Sequence, residues 1–419
     1  MNIGIKIVGI IMIISLISIG CTQKDNIVGT GGLGGNVPLN ATLDHDSFSE
    51  IYSYEDSCSY NNSTIMSFGK YSEETSYSLL RFTNLPDSSY EISSVNISLE
   101  IKDRHNFDIV DNTTLKLAKI NDIQWLENAT WWISSDSTEW TGEHFSELDY
   151  TELLPEDYEV VSENDSINIT LDPVILEEWI NEDVNSSLVI YSDADDSFME
   201  IYTSEYSDDK YPILTFEYRE TEEDTLVTET IATCYDCAIY EIDNNYEKWQ
   251  DELKLSNIQP INIFTKFDLD ALESAFVDAL PADYEIANAD TVLFLQRITI
   301  NKAELILSND GVNAYPLDGS ISIIPLFVTA DTINTDFPEI PLLTNDDISD
   351  LYISNTTDTL NSEHFTIDIT KVVQYYISNE YENYGIVLKS LNVNDNFIHT
   401  EFDLEPEINI IFTPPYLEE

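Results

Sequence analysis

The sequence predicts an all-β fold, built as two tandem jelly-roll-like antiparallel β-sandwiches with short helical turns. Apolar residues alternate with polar ones in short runs, as at 95–101 and 214–218, and this period of two is typical of strands that bury one face. Clusters of Asp, Asn, Ser and Gly separate the runs, and one order of elements occurs twice along the chain. The stretches with helical spacing are 176–181, 269–280 and 372–379.

The composition indicates a folded and strongly acidic protein. The 419 residues include 79 Asp and Glu against 17 Lys and Arg, which gives a formal net charge of −62. Such a chain has no basic surface to replace the counterions of nucleic acid, and an anionic lipid surface would repel it. Because 42% of the residues are hydrophobic and 11% are aromatic, the chain has the apolar surface that a core needs.

The N-terminal residues have the features of a targeting segment. A single cation, Lys6, precedes an apolar run (7–19) that is too short to span a bilayer but suits a secretion signal. The run ends in Ser-Ile-Gly before Cys21, which resembles the processing site of bacterial lipoproteins. This resemblance implies a signal peptide over 1–20 and a lipid on Cys21; ordinary cleavage with full secretion is the alternative.

A Gly-rich stretch follows the predicted lipid site within residues 21–40, and such stretches behave as flexible coils. We therefore expect a tether that begins at the lipidated cysteine. The protein would be a lipoprotein of the cell envelope, held in the outer membrane through its lipid alone and exposed at the cell surface.

An internal repeat divides the rest of the chain into two copies. Four anchors recur in the same order: an aromatic strand, a long alternating strand, a single helical turn and a closing strand led by Pro. The predicted modules are residues 41–218 and 226–416, joined by an acidic linker at 219–225.

The apolar faces of the predicted strands give the expected core. In the first copy the core residues are Leu80, Phe82, Ile97, Leu99, Leu188, Ile190, Leu214 and Phe216. In the second copy they are Phe267, Leu305, Ile386, Leu388 and Ile408. The helical turn that carries Trp179 is expected to close one open end of the first sandwich.

The first copy resembles a known family of secreted bacterial domains. A Leu-Leu-Arg-Phe strand containing Arg81 precedes an Asn-Leu-Pro turn, an alternating strand and a Trp125-x-Glu127 element. The helical turn ending in Trp179 and a closing Tyr-Pro strand follow. This order resembles the DNRLRE-type domains, which are jelly-roll β-sandwiches. Some relatives in that family are carbohydrate-binding modules attached to polysaccharide-degrading enzymes, so the resemblance implies carbohydrate binding.

The second copy departs from this pattern. It lacks the Trp-x-Glu element, and Lys266 and Tyr376 stand where the first copy has Arg81 and Trp179. We therefore regard it as a divergent copy, to which the implied ligand binding transfers less directly.

The sequence contains no recognisable catalytic motif. Its five His residues form no zinc-hydrolase pattern, and it has neither a Gly-x-Ser-x-Gly elbow nor a Gly-rich phosphate loop before a helix. We therefore assign no catalytic residues and expect a protein that is not an enzyme.

Four of the six Trp residues lie between positions 125 and 140. Flat aromatic rings can stack on sugars, or they can pack against the sandwich and cover it. Trp125 and Trp131 belong to the family-like element and are expected to pack. Trp132 and Trp140 are expected to be exposed and are the candidate carbohydrate-binding residues.

Acidic loops offer candidate metal ligands. Asp193, Asp195 and Asp196 form a cluster of the hard oxygen donors that calcium prefers. A structural calcium is the one cofactor that the sequence suggests, and the alternative is a solvated acidic surface.

The cysteines suggest a local cross-link. Cys234 and Cys237 form a Cys-x-x-Cys pair, and in an oxidising envelope a disulfide could join them. The alternative is that Cys58 pairs with one of the two. A catalytic redox motif is not expected, because such a motif normally opens a helix of an α/β fold.

Together these features favour a surface-anchored lipoprotein that binds a carbohydrate or mediates adhesion without catalysis. Its partner would be a polysaccharide or an envelope protein. A purely structural envelope spacer is the alternative, and a polysaccharide-degrading enzyme is less favoured. The resemblance points to acidic glycans, whereas the negative charge would repel them unless calcium bridged the two, and the sequence leaves this conflict open.

Overall fold

A computed structural model of the chain confirms the all-β fold class. The structure describes residues 37–55, 63–72, 74–86, 90–107, 111, 113–121, 124–135, 138–142, 144–163, 165–181, 186–206, 210–220, 225–232, 235–241, 253–258, 261–282, 284, 291–309, 314–316, 319–329, 356–360, 362–391 and 397–415. The predicted signal peptide and Cys21, together with Cys58 and Cys234, lie outside the described residues.

The first copy of the repeat begins with strands β1 and β2 and ends with β14. Its strands are β1 (Leu39–Leu43), β2 (Phe48–Glu55), β3 (Ile65–Tyr71), β4 (Glu74–Arg81), β5 (Tyr90–His105), β6 (Lys116–Ile120), β7 (Ile133–Ser135), β8 (Thr138–Glu139), β9 (Tyr150–Glu152), β10 (Tyr158–Glu163), β11 (Ser166–Leu171), β12 (Ser187–Tyr191), β13 (Phe198–Tyr202) and β14 (Ile213–Glu220). One α-helix, α1 (Pro173–Asn181), precedes β12.

The second copy has a similar order of elements. Its strands are β15 (Leu226–Ala232), β16 (Tyr235–Tyr240), β17 (Leu253–Ser256), β18 (Ile261–Phe267), β19 (Thr299–Ser308), β20 (Ala314–Tyr315), β21 (Ser320–Phe327), β22 (Thr356–Thr359), β23 (His364–Asp368), β24 (Ile386–Ser390), β25 (His399–Phe402) and β26 (Glu407–Thr413). Its helices are α2 (Leu269–Asp278), α3 (Thr291–Gln296) and α4 (Thr370–Ile377). Helix α3 is not predicted from the sequence, because its continuous apolar run lacks helical spacing.

The described strands form two antiparallel sandwiches. In the first, one sheet has the order β10-β11-β5-β14-β15 and the other β5-β13-β3-β4-β12-β6-β9, with β16 also paired to β4. The 16-residue strand β5 belongs to both sheets. In the second sandwich, β1-β26-β19-β23 faces β20-β25-β17-β18-β24-β21-β22, and β2 is paired to β18.

Each sandwich contains two strands from the other copy of the repeat. Strands β1 and β2 of the first copy pair with β26 and β18 of the second. Strands β15 and β16 of the second copy pair with β14 and β4 of the first. The acidic segment at 219–225 connects the paired strands β14 and β15 instead of separating two units. The sequence copies 41–218 and 226–416 therefore do not coincide with the two sandwiches.

The core lies where the alternation predicts it. All thirteen predicted core residues are buried in the two sandwiches. Trp179 of α1 is also buried, and its ring stacks on Phe82 with the centroids 6.4 Å apart, so the helix closes that end of the first sandwich. In the described part of the chain, no helix combines the length and apolar character needed to cross a membrane.

Candidate functional site

The described residues between positions 124 and 150 (124–135, 138–142 and 144–150) cover the outer surface of the first sandwich. We call this part of the chain the aromatic cover. It packs against strands whose residues are apolar on both faces: in β12, Leu188 and Ile190 point into the sandwich core, while Val189 and Tyr191 contact the cover. All five residues of β12 are consequently buried.

Most of the tryptophans of the cover serve packing. The indole nitrogen of Trp125 donates a hydrogen bond to the hydroxyl of Ser187 at 3.0 Å, and the ring is fully buried. Trp140 is only 2% exposed, and its indole nitrogen donates to the carbonyl of Thr130 at 2.8 Å. This corrects the expectation that Trp140 is exposed, because burial against Phe145 leaves no ring face for a ligand.

A buried carboxylate fixes the shape of the cover. Asp149 is inaccessible to solvent and accepts hydrogen bonds from the backbone amides of Thr141 at 2.8 Å and Ser146 at 3.0 Å. The hydroxyl of Ser146 donates to the same carboxylate at 3.2 Å. These bonds tie together the part of the cover that carries His144 and Phe145.

Trp132 is the one candidate tryptophan that keeps partial exposure among the described residues of the cover. Its ring lies against His144, with the centroids 6.1 Å apart. His144 also contacts the buried ring of Trp131 at 5.1 Å, edge to face. Trp132 is therefore the outermost ring of a larger aromatic cluster.

Three tyrosines, which sequence analysis did not identify, extend this cluster. The ring of Tyr77 stacks on Trp131 at 6.4 Å and lies 6.0 Å from that of Tyr191. The ring of Tyr150 lies 5.8 Å from that of Tyr191. Tyr77 and Tyr150 are half-buried. We call the half-buried residues Tyr77, Trp132, His144 and Tyr150 the aromatic face, and its base consists of Trp131, Phe145 and Tyr191.

Carboxylates surround the aromatic face. Burial and then the charges of Glu147, Glu152, Asp193 and Glu241 raise the pKa of Tyr150 to about 12. Burial, followed by the charges of neighbouring groups that include Asp193, also raises the pKa of Tyr77 and of Tyr191. The four carboxylates belong to exposed residues from four different segments of the chain. The phenols are neutral at ordinary pH, and the surroundings of the face are strongly negative.

One donor in the base of the aromatic face is unsatisfied. The indole nitrogen of Trp131 is buried and has no hydrogen-bond partner within the described part of the structure. A buried polar group without a partner costs about 1–3 kcal/mol, so an acceptor from a bound molecule that reached it would be stabilising.

The three aspartates predicted to bind calcium do not act as one group. Asp193 lies near the aromatic face, whereas the carboxylate of Asp196 contacts Nε2 of His105 at 3.3 Å and Nδ2 of Asn106 at 2.9 Å. Asp193, Asp195 and Asp196 are all exposed. Among the described residues, no group of three or more His, Cys, Asp or Glu is arranged to hold a metal ion. Calcium binding stays a prediction.

Residues of the family-like motifs converge at a second place in the first sandwich. The guanidinium of Arg81 lies 3.9 Å from the ring centre of Tyr235 and donates to the carbonyl of Trp125 at 2.8 Å. Burial and the charges of Asp236 and Glu205 raise the pKa of Glu127, and the charge of Arg81 opposes this rise. The motifs thus supply one half-buried cation among several carboxylates.

The cysteine prediction can be followed only in part. Cys237 lies in β16 and is fully buried, with no disulfide partner among the described residues. Burial, followed by the charges of Asp236 and Glu127, raises the pKa of its thiol well above the usual value, which disfavours the reactive thiolate. Because Cys234 lies outside the described residues, its pairing with Cys237 stays a prediction.

Comparison with known protein families and with curated proteins finds no match to this chain. The resemblance to DNRLRE-type domains therefore remains a prediction from the sequence.

Proposed function

We propose that this protein is a non-catalytic carbohydrate-binding lipoprotein of the cell surface, and that its ligand lies on the aromatic face. The continuous contact from Trp132 through His144 and Trp131 to Tyr77 carries the proposal. The half-buried rings of Trp132, His144 and Tyr77, held on the buried ring of Trp131, offer flat apolar surface to the faces of sugar rings.

Polar groups at the edge of the face suit the same ligand. Carboxylates such as Asp193 and Glu147 accept hydrogen bonds from sugar hydroxyls, and bonds to an ionised acceptor are stronger than neutral ones. The unsatisfied indole nitrogen of Trp131 would gain an acceptor from a hydroxyl that reached it. Shallow sites of this kind bind weakly, and many copies anchored through Cys21 would strengthen attachment through avidity.

The test uses affinity electrophoresis of residues 22–419 through gels that contain neutral, acidic or amino polysaccharides. We expect at least one polysaccharide to retard the protein. The variant Trp132→Ala should then bind about tenfold more weakly, a loss of about 1.4 kcal/mol. Tyr381→Ala is the matched control, because Tyr381 is an exposed aromatic residue of the second sandwich.

Two results would contradict the proposal. One is that no polysaccharide retards the protein. The other is that Trp132→Ala and Tyr381→Ala behave alike.

A structural spacer is the second candidate function. The reciprocal exchange of strands between the sandwiches favours it, because such an exchange makes one stiff unit from two modules. A spacer would tolerate Trp132→Ala without any change in retention, so the same experiment separates the two functions.

A further inference from the structure

We propose that the aromatic face binds a polysaccharide of amino sugars whose amines are free and protonated. This inference rests on the proposed carbohydrate-binding function and deepens it. The observation behind it is that carboxylates from four separate segments surround one aromatic face. Glu147 belongs to the aromatic cover and Glu152 to β9, while Asp193 follows β12 and Glu241 follows β16.

These carboxylates act on the same rings. Asp193 contributes to the raised pKa of all three tyrosines, Tyr77, Tyr150 and Tyr191. Glu147 and Glu241 each act on Tyr77 and Tyr150, and the hydroxyl of Tyr191 donates to Glu152 at 2.5 Å. The negative charge is therefore concentrated where the rings are.

Two described cations lie on the neighbouring strand β6. Lys116 lies opposite Tyr191 in the ladder of β6 and β12, and after the hydrogen bonds of Thr113 it helps to lower the pKa of Asp111. Nζ of Lys119 contacts Glu178 of α1 at 2.6 Å. His144 lies within the face, and its Nδ1 donates to the carbonyl oxygen of Gly142 at 3.1 Å.

An ammonium group on a sugar suits this combination. A cation over the face of a Tyr or Trp ring is attracted by the ring, and nearby carboxylates add to that attraction. The sugar ring itself supplies the apolar face that stacks on Trp132. An acidic glycan would meet the carboxylates and the net charge of −62 with repulsion, which resolves the conflict left open by the sequence in favour of a cationic ligand.

Isothermal titration calorimetry of residues 22–419 at pH 6.0 tests the inference. The probes are a β-1,4-linked glucosamine hexamer, its N-acetylated form and a decalysine peptide. We expect the glucosamine hexamer to bind at least tenfold more tightly than the N-acetylated hexamer. The double variant Glu147→Gln/Asp193→Asn should reduce this preference to below threefold.

The matched control is Asp403→Asn/Glu405→Gln, which removes the same charge from exposed positions of the second sandwich. It should leave the preference unchanged. Circular dichroism and thermal melts of both double variants check that they fold.

Three outcomes would overturn the inference. Equal binding of the two hexamers would refute the preference for free amines and leave the proposed function standing. If decalysine binds as tightly as the glucosamine hexamer, and Trp132→Ala changes neither affinity, charge attraction alone would explain the binding of the hexamer. Binding of neither hexamer, together with no retardation by any polysaccharide, would refute the proposed function as well.

Discussion

Nδ1 of His399 lies 2.7 Å from Oε1 of Glu74, and this contact joins two residues 325 positions apart. Glu74 begins β4 of the first sandwich, and His399 begins β25 of the second. The side chains are 3% and 1% exposed. Nε2 of His399 lies 3.4 Å from Oε1 of Glu401, and the hydroxyl of Ser256 donates to Glu74 at 2.9 Å. The sandwiches therefore meet through a buried charge network.

A second buried group strengthens the same interface. Tyr315 of the second sandwich donates from its hydroxyl to Glu200 of the first at 3.1 Å, and Nζ of Lys102 contacts Glu200 at 3.0 Å. The ring of Tyr71 lies 5.1 Å from that of Tyr315 and 5.2 Å from that of His399. Because breaking a buried pair leaves an uncompensated charge, these contacts fix how the sandwiches pack.

The network predicts a loss of stability in alkali. Burial opposes the charge of His399, but the carboxylates of Glu74 and Glu401 outweigh it and raise the pKa of His399 to about 9. The pKa of His399 in the folded protein therefore exceeds its unfolded value of about 6.5. The stability that protonated His399 contributes is complete below a pH of about 6.5 and is lost as pH rises through about 9. The free energy of unfolding should fall by about 3 kcal/mol across this window.

Urea unfolding at pH 6, 7.5 and 9.5 measures this loss. His399→Gln should be less stable than the natural protein at pH 6 and similar to it at pH 9.5. Glu74→Gln provides a second variant in case the first does not fold. A stability difference that stays constant over the three pH values would show that His399 carries no extra proton in the folded state.

The exchange of strands predicts that neither half of the chain folds alone. Residues 37–220 lack β15 and β16, and residues 225–415 lack β1 and β2, so each half would leave two sheets with open edges.

Expression of the halves, alone and together, tests the exchange by size-exclusion chromatography and circular dichroism. We expect aggregation of each half alone and a soluble one-to-one complex on coexpression. A monomeric half with a cooperative melt near that of the full chain would show that the exchange is not required for folding.

Asp149→Ala should loosen the aromatic cover. The substitution removes the carboxylate that accepts from the amides of Thr141 and Ser146, and a hydrogen bond to a charged group contributes about 1.5–3 kcal/mol. Differential scanning calorimetry should show a lower Tm, and limited proteolysis should cut within 138–149. Asp157→Ala is a control, since the carboxylate of Asp157 accepts a bond from an exposed loop amide. Equal Tm values for both variants would contradict the role of Asp149.

Arg81→Ala should destabilise the protein by about 2–4 kcal/mol, because it removes a hydrogen bond from a charged group to the carbonyl of Trp125 and the cation over the ring of Tyr235. Arg81→Lys restores the charge but not the stacking on Tyr235, so it should recover part of the loss. Because the pKa of Glu127 is raised, this carboxylate takes up a proton more readily than an ordinary Glu. A protonated Glu127 no longer attracts Arg81, so the cost of Arg81→Ala should shrink as pH falls toward 5. Thermal melts between pH 5 and 8 measure this cost, and a cost that does not change with pH would contradict the prediction.

The fold class and the core follow from local pattern, and the topology does not. Successive side chains of a strand point to opposite faces of the sheet, so a strand with one buried face has apolar residues at every second position. The sequence shows this spacing directly, as at Ile97 and Leu99 or at Leu214 and Phe216. The exchange of strands depends on whether β1 and β15 pair with β26 and β14, as observed, or with the equivalent strand of their own copy. Both strands come from equivalent positions of a repeat, so their patterns cannot distinguish the two pairings.

The site is predictable only in part for a related reason. Trp132 and Trp140 look alike in sequence. In the structure Trp140 packs on Phe145 and donates a hydrogen bond to the carbonyl of Thr130, whereas Trp132 stays half-buried. The three tyrosines lie on strands or beside them, where packing would explain them equally well. One signal was present: β12 is apolar at successive positions, which indicates that its outer face is covered.

The most direct test of the account is ¹⁹F NMR of residues 22–419 labelled with 5-fluorotryptophan. Each resonance would be assigned by a single Trp→Phe variant, and the protein would then be titrated with the polysaccharide fragment that binds best. We expect the resonance of Trp132 to shift with the ligand concentration and that of Trp131 to follow, while Trp179, buried in the first sandwich, stays unchanged. Binding without a shift at Trp132 would contradict a ligand site on the aromatic face.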